Sequence, residues 1–193
     1  MAEIIIVTGT PGVGKTVLGK LLAKTTGSTF LSLGDLVKME RLHKGFDRQT
    51  RSFIIDEPAL ERKLNGYFTA HQKEGIVFET HFVSPVVHKT RRMVAIVLRL
   101  DPIVLARRLR ARKWPKAKIW DNVEAEMIDL SLYDSLKLLG KTRVYEIDAT
   151  GKRPQELLHE TLRMMSRGKG WSLNSSSDWL EKYDPVLLSR RIL

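Results

Sequence analysis

The chain has no cysteine among its 193 residues. That excludes disulfide staples, thiolate-held zinc and thiol nucleophiles, and it suits a protein kept in a reducing compartment. Long apolar runs are missing too. The first, Ile4 to Val7, is too short for a signal peptide and runs at once into a glycine-rich turn. No uninterrupted apolar stretch is long enough to span a bilayer, so a cytoplasmic protein with no membrane partner is expected. Acids are also scarce, 22 against 33 lysines and arginines, which leaves a formal charge of +11. The excess is uneven: ten basic residues fall between Phe82 and Lys116, against a single acid, Asp101. A stretch of this kind serves phosphorylated ligands, RNA or an acidic protein segment, or is simply a solvated face.

With 42% hydrophobic residues the chain can bury one core, and a single compact domain with a movable flap is expected. Five β-branched-rich runs read as strands: Glu3 to Thr8, Ser28 to Ser32, Ile76 to Thr80, Met93 to Arg99 and Arg143 to Asp148. Helical spacing appears in Val17, Leu18, Leu21 and Leu22, and again in Leu60, Leu64 and Tyr67. Another helix is predicted after Asp101-Pro102, where the aspartate caps and the proline fits the first turn. Strands alternating with helices imply a parallel sheet covered on both faces, because crossovers are right-handed. Beyond residue 165, glycines and serines mark a linker, and Trp179, Leu180, Tyr183, Leu187 and Leu188 line a broken helical tail. This tail is expected to pack back on its own domain; the alternative is a partner or a second copy.

Gly9 to Thr16 satisfies G-x-x-x-x-G-K-[ST] between a buried strand and a helix, the setting a phosphate loop requires. Its glycines let successive N–H groups turn toward phosphates, and the helix N-terminus adds a favourable dipole. Lys15 is expected to reach the β- and γ-phosphates of ATP, and the Thr16 hydroxyl to ligate Mg²⁺. The loop alone names no reaction, since many unrelated activities use it. Phe78-Glu79-Thr80-His81 adds a second constellation at the end of the third predicted strand, beside the loop. There Glu79 can hold Mg²⁺ through water and His81 can exchange protons near neutral pH. The loop Ala149 to Arg153 follows the last strand, where such folds usually hold adenine.

Several segments together resemble the adenylate kinase isoenzyme six family. They are the phosphate loop, Leu33-Gly34-Asp35-Leu36, Ile55-Asp56-Glu57, the acid-x-His at 79 to 81, Leu98-Arg99 with Arg108-Leu109, and Asp121-Asn122-Val123 with Glu126. The resemblance spans roughly residues 3 to 165 and suggests an archaeal member. It implies an α/β P-loop NTPase with a five-stranded parallel sheet, order 2-3-1-4-5, flanked by helices, over residues 1–165. A nucleoside monophosphate flap would cover 32–55 and a short lid 111–121, with linker and tail at 166–193. It implies that Gly12, Gly14, Lys15, Thr16, Val17 and the lid arginine Arg112 bind ATP, and that Asp35 and Lys38 serve the monophosphate. Lys15, His81, Glu79 and Arg112 would then be catalytic. The implied function is a broad-specificity kinase converting ATP and AMP to two ADP, with ATPase activity. It would act in small ribosomal subunit maturation on a ribosomal protein and rRNA. The chain departs from the family twice: Glu79 replaces an aspartate, extending the carboxylate by one methylene, and Lys38 stands where an arginine is frequent. Two rivals differ in kind: a metabolic nucleotide kinase with no ribosomal task, and a non-catalytic assembly chaperone switched by ATP.

Overall fold

The structure is a computed structural model that describes residues 3–48, 52–83, 92–171 and 177–192. In chain order it begins with β1 (Ile4–Thr8), α1 (Lys15–Thr26), β2 (Thr29–Ser32), α2 (Leu33–Met39), β3 (His43–Asp47) and β4 (Ser52–Ile55). Next come α3 (Glu57–Ala70), β5 (Ile76–Glu79), β6 (Met93–Arg99), α4 (Pro102–Ala111), α5 (Lys116–Met127) and α6 (Leu130–Leu139). The chain then forms β7 (Val144–Asp148), α7 (Pro154–Arg167), α8 (Trp179–Lys182) and α9 (Pro185–Ile192).

All five strands read from the sequence are present, within a residue or so at their ends, and they pair in parallel in the order β2-β5-β1-β6-β7. That is the expected order 2-3-1-4-5 once the strands of this sheet are counted alone. The central strand β1 is buried throughout because helices cover both sides, which is why it reads as an unbroken apolar run. Alternation nonetheless divides its side chains. Ile5 and Val7 point to a core shared with Leu18, Leu22, Leu105, Leu109 and Val123, whereas Ile4 and Ile6 join Leu33, Leu60, Leu64, Phe68 and Leu132. The capping reading after strand β6 also holds: Asp101 accepts from Ile103 N (3.0 Å) and Val104 N (3.3 Å).

The antiparallel pair β3-β4 has no counterpart among the strands read from the sequence. His43-Lys44-Gly45-Phe46-Asp47 carries too few apolar residues for an alternation to stand out. It forms because Phe53 gathers His43 (ring centroids 4.4 Å apart) and Phe46 (5.3 Å) around it. The segment 32–55, expected to act as a flap, consists of α2 and this hairpin, with residues 49–51 outside the described part. Lys89 and Arg91 of the basic stretch, and residues 172–176 of the linker, also lie outside it.

Helix α7 runs to Arg167 and ends on Gly168 at φ 64°, two residues past the predicted end of the domain. The tail folds back onto the domain: Trp179, Leu188 and Ile192 are buried in the core that contains α4 and α5. Lys182 and Tyr183 both donate to Asp101.

Candidate functional site

Strand β1 ends at the phosphate loop, where three glycines take positive φ: Gly9 at 137°, Gly12 at 103° and Gly14 at 119°. A β-carbon at Gly9 would stand 2.4 Å from the Leu98 carbonyl oxygen, so the loop can lie this close to β6 only with glycine there. Two side chains brace the loop from below and behind. Thr10 Oγ1 donates to Glu126 Oε2 (2.5 Å), and Arg108 Nη1 donates to the carbonyls of Gly12 (3.3 Å) and Val13 (3.1 Å).

Lys15 opens α1 and curls back, its Nζ donating to the carbonyls of Gly9 (2.8 Å) and Thr10 (3.1 Å). Burial pushes its pKa down to about 8; Glu79 and Glu126 pull it up and Arg112 adds to the lowering. It is an ammonium still charged at neutral pH, short of negative partners and placed where a triphosphate would supply them.

A cavity of about 500 Å³ opens over the loop. Its wall includes Gly12, Gly14, Lys15, Thr16, Val17, Glu79, His81 and Arg112. These residues come from the loop, the end of β5 and the end of α4, and converge because the strands are parallel and end on one edge of the sheet. Glu79 leans toward β2 and accepts from Ser32 Oγ (2.8 Å), a reach its extra methylene helps to make. His81 is open to the cavity, yet its pKa falls to about 4, through desolvation first and then the charges of Lys15 and Lys118. Burial and these charges favour the neutral ring, below the neutral-pH exchange expected from the sequence. Phosphate charge beside it would draw that pKa upward again.

Asp35 and Lys38 are not part of this wall; both are exposed on α2. Four lining residues had not been singled out from the sequence as ligand-binding: Ser52 on the hairpin, and Trp114, Lys118 and Asn122. A signal for the last three was present, because 114, 118 and 122 are spaced by four and continue to Glu126 under the loop. The structure matches in part: on α5 Asn122 Nδ2 donates to the Lys118 carbonyl (2.6 Å), while Trp114 lies just before the helix with its ring centre 4.5 Å from Lys118 Nζ. A second cavity of about 190 Å³, lined by Val13, Val17, Arg108, Ala149, Lys152 and Pro154, lies beside the loop where the sequence placed adenine.

Comparison with known proteins decides the family. A family profile described as an AAA domain matches residues 5–129. Proteins named "Putative adenylate kinase" are 36% identical in Thermococcus kodakarensis and 34% in Saccharolobus solfataricus. The first match covers 95% of this chain and 97% of the relative, the second 96% and 97%. This chain belongs to that adenylate kinase-like family. The solved structures agree on the fold: a shikimate kinase from Aquifex aeolicus superposes with a TM-score of 0.52 at 16% identity, over 85% of this chain and 96% of its own. A gluconokinase from Sinorhizobium meliloti does so at 0.54, also with 16% identity, over 86% and 93%. The matches to these relatives cover 95–96% of the chain and so extend into the tail, whereas the resemblance read from the sequence stopped near residue 165. No helix among the described residues is long and apolar enough to cross a membrane.

Proposed function

We propose that the protein transfers the γ-phosphoryl group of Mg-ATP to AMP, and more slowly to water. The observation that supports this most is the convergence of Lys15, Glu79, His81 and Arg112 on one cavity above the phosphate loop. Backbone N–H groups of the loop would cradle the phosphates, and the small cavity beside Ala149 would take the base. Lys15 and Arg112 would neutralise the oxygens of the group in transit, the guanidinium by contacting two at once. The Thr16 hydroxyl and, through water, the Glu79 carboxylate would hold Mg²⁺. Two oxygen donors are too few for a cage, and they fit a hard cation that arrives with phosphate and water. When bound, the metal would supply positive charge that offsets the charge on the phosphates.

In transfer to AMP, an acceptor phosphate oxygen forms the new bond to the γ-phosphorus as the bridging bond to ADP breaks. That oxygen is already ionised, so no base is needed and His81 orients the acceptor. In hydrolysis the attacker is water, and the neutral His81 can accept its proton. Closure of the hairpin and the 111–121 segment excludes water and so favours AMP.

The test is product analysis from ATP with and without AMP. His81→Ala is expected to lower turnover about 10²-fold with ATP affinity little changed, and Glu79→Gln to act likewise. Affinity falling in parallel would assign both residues a structural role. A switched chaperone would bind ATP but show no turnover with AMP.

The ribosomal role, on a small-subunit protein and rRNA, belongs to the same proposal. It is supported by the resemblance and by exposed Arg107, Arg110, Lys113 and Lys116 of the basic stretch. Binding to purified small-subunit components that weakens steeply with salt would bear it out, and salt-independent binding would leave a solvated face. No binding would favour a metabolic kinase.

A further inference from the structure

The hairpin and α5 meet over the cavity, where Lys118 Nζ donates to Ser52 Oγ at 2.8 Å. Both residues line the phosphate cavity beside Lys15, His81 and Arg112. The Lys118 ammonium lies over the Trp114 ring, and the Asn122 amide donates to the Lys118 backbone carbonyl. Its charge is felt across the cavity, since it is one of the two cations that disfavour protonation of His81. Lys118 is also fixed from a rigid base. One residue before the end of α5 and two turns beyond Lys118, Glu126 is anchored by Arg99 Nε (2.9 Å) and bonded to Thr10 of the loop.

We propose that Lys118 is a phosphate-binding residue for the group in transit, which exchanges its Ser52 partner for a phosphoryl oxygen as that group transfers. A hydroxyl is a weak partner for an ammonium, and a phosphoryl group gathering charge in the transition state is a much stronger one. The exchange favours the transition state over the empty site, and it reports to the hairpin that the cavity is filled, because the Ser52 contact is given up in the same step. This rests on the phosphoryl-transfer reading above and adds a third cation from the protein, after Lys15 and Arg112.

The experiment uses the full-length protein and three variants, Lys118→Met, Lys118→Arg and Ser52→Ala. Each is assayed for turnover and for trapping of Mg-ADP with aluminium tetrafluoride, a planar mimic of the transferring group that needs no acceptor. Lys118→Met is expected to lower kcat about 10²-fold, the scale for losing one transition-state donor, and to weaken trapping similarly, while ATP affinity stays within a few-fold. Lys118→Arg should recover most of the trapping, because charge and reach are kept. Ser52→Ala should trap two- to three-fold better, because the competing hydroxyl is gone. Trapping in Lys118→Met equal to that of the unchanged protein would overturn the proposal. So would a loss in Ser52→Ala as large as in Lys118→Met, which would make the pair a strut. If the unchanged protein makes no ADP from AMP, the acceptor reading fails instead, and the trapping comparison still decides Lys118.

Discussion

Lys15 and Arg99 are both buried cations close to the phosphate loop, and they are treated in opposite ways. Arg99 is met on all sides: Nε reaches Glu126 Oε1 (2.9 Å), Nη1 reaches Glu146 Oε1 (3.0 Å), and Nη2 reaches the Glu126 carbonyl (2.8 Å) and Asp129. The surplus of carboxylates is absorbed in turn. Thr10, the Leu100 N–H (3.0 Å) and the Trp179 indole (3.4 Å) donate to Glu126, while the Trp171 indole (2.9 Å) and Ser177 N–H (3.0 Å) donate to Glu146. Asp129, at the margin, has its pKa raised by burial against the pull of Arg99. Among the described residues Lys15 donates to two carbonyl oxygens, and its pKa falls through burial. The difference separates two uses of buried charge: a saturated cluster holds the molecule together, while an undersatisfied cation waits for a ligand's charge. The tail belongs to the first use, since three of the five donors just named come from beyond α7.

The comparison predicts opposite results for similar substitutions. Arg99→Met leaves three acids facing one another and is expected to cost about 3–5 kcal/mol of stability, read from urea unfolding. A loss under about 1 kcal/mol would show that the cluster is not what holds this edge of the sheet. Lys15→Met should leave the unfolding midpoint unchanged or raised, because an underpaired charge is removed. Its turnover should nevertheless fall about 10²- to 10³-fold. A lowered midpoint in that variant would mean that Lys15 braces the empty loop.

The pH dependence sharpens the same contrast. Because the Lys15 pKa lies near 8 in the folded chain against 10.5 for a free lysine, the unfolded state binds more protons between these values. Stability contributed by this group therefore rises with pH across that window. Phosphate binding needs the charged form, so ATP affinity should hold up to about pH 8 and then fall by about tenfold per unit. Calorimetry in buffers of different ionisation enthalpy should register proton uptake on binding near pH 9. Affinity flat through that range would remove Lys15 from phosphate contact. The smallest effect is assigned to Trp171→Phe, which keeps the ring but removes a donor from Glu146, for an expected loss of about 1 kcal/mol by thermal or urea unfolding.

The strands, their order and the phosphate loop were legible because each rests on local signals: β-branched runs for buried strands, and Gly9, Gly12 and Gly14 where the backbone takes positive φ. The hairpin was not, because His43 to Asp47 gains its order from Phe53 across the turn rather than from its own pattern. Asp35 and Lys38 carried a family expectation that the cavity wall does not include, since α2 presents both to solvent.

The sequence by itself determined where the phosphate loop forms, because a glycine-rich turn between an apolar strand and a helix has few other stable conformations. Only the tertiary structure decided which charges are free to act. Glu126 reads from the sequence as one more acid, beyond the predicted lid at 111–121, and its burial comes from α5 carrying it to Thr10 of the loop and Arg99 at the end of β6. Lys118, on the same face two turns earlier, is left at the cavity. The physical reason is that pairing and desolvation depend on what lies within a few ångströms in space, and residues 10, 99, 126, 146 and 179 become neighbours only once the sheet has formed and the tail has closed over it.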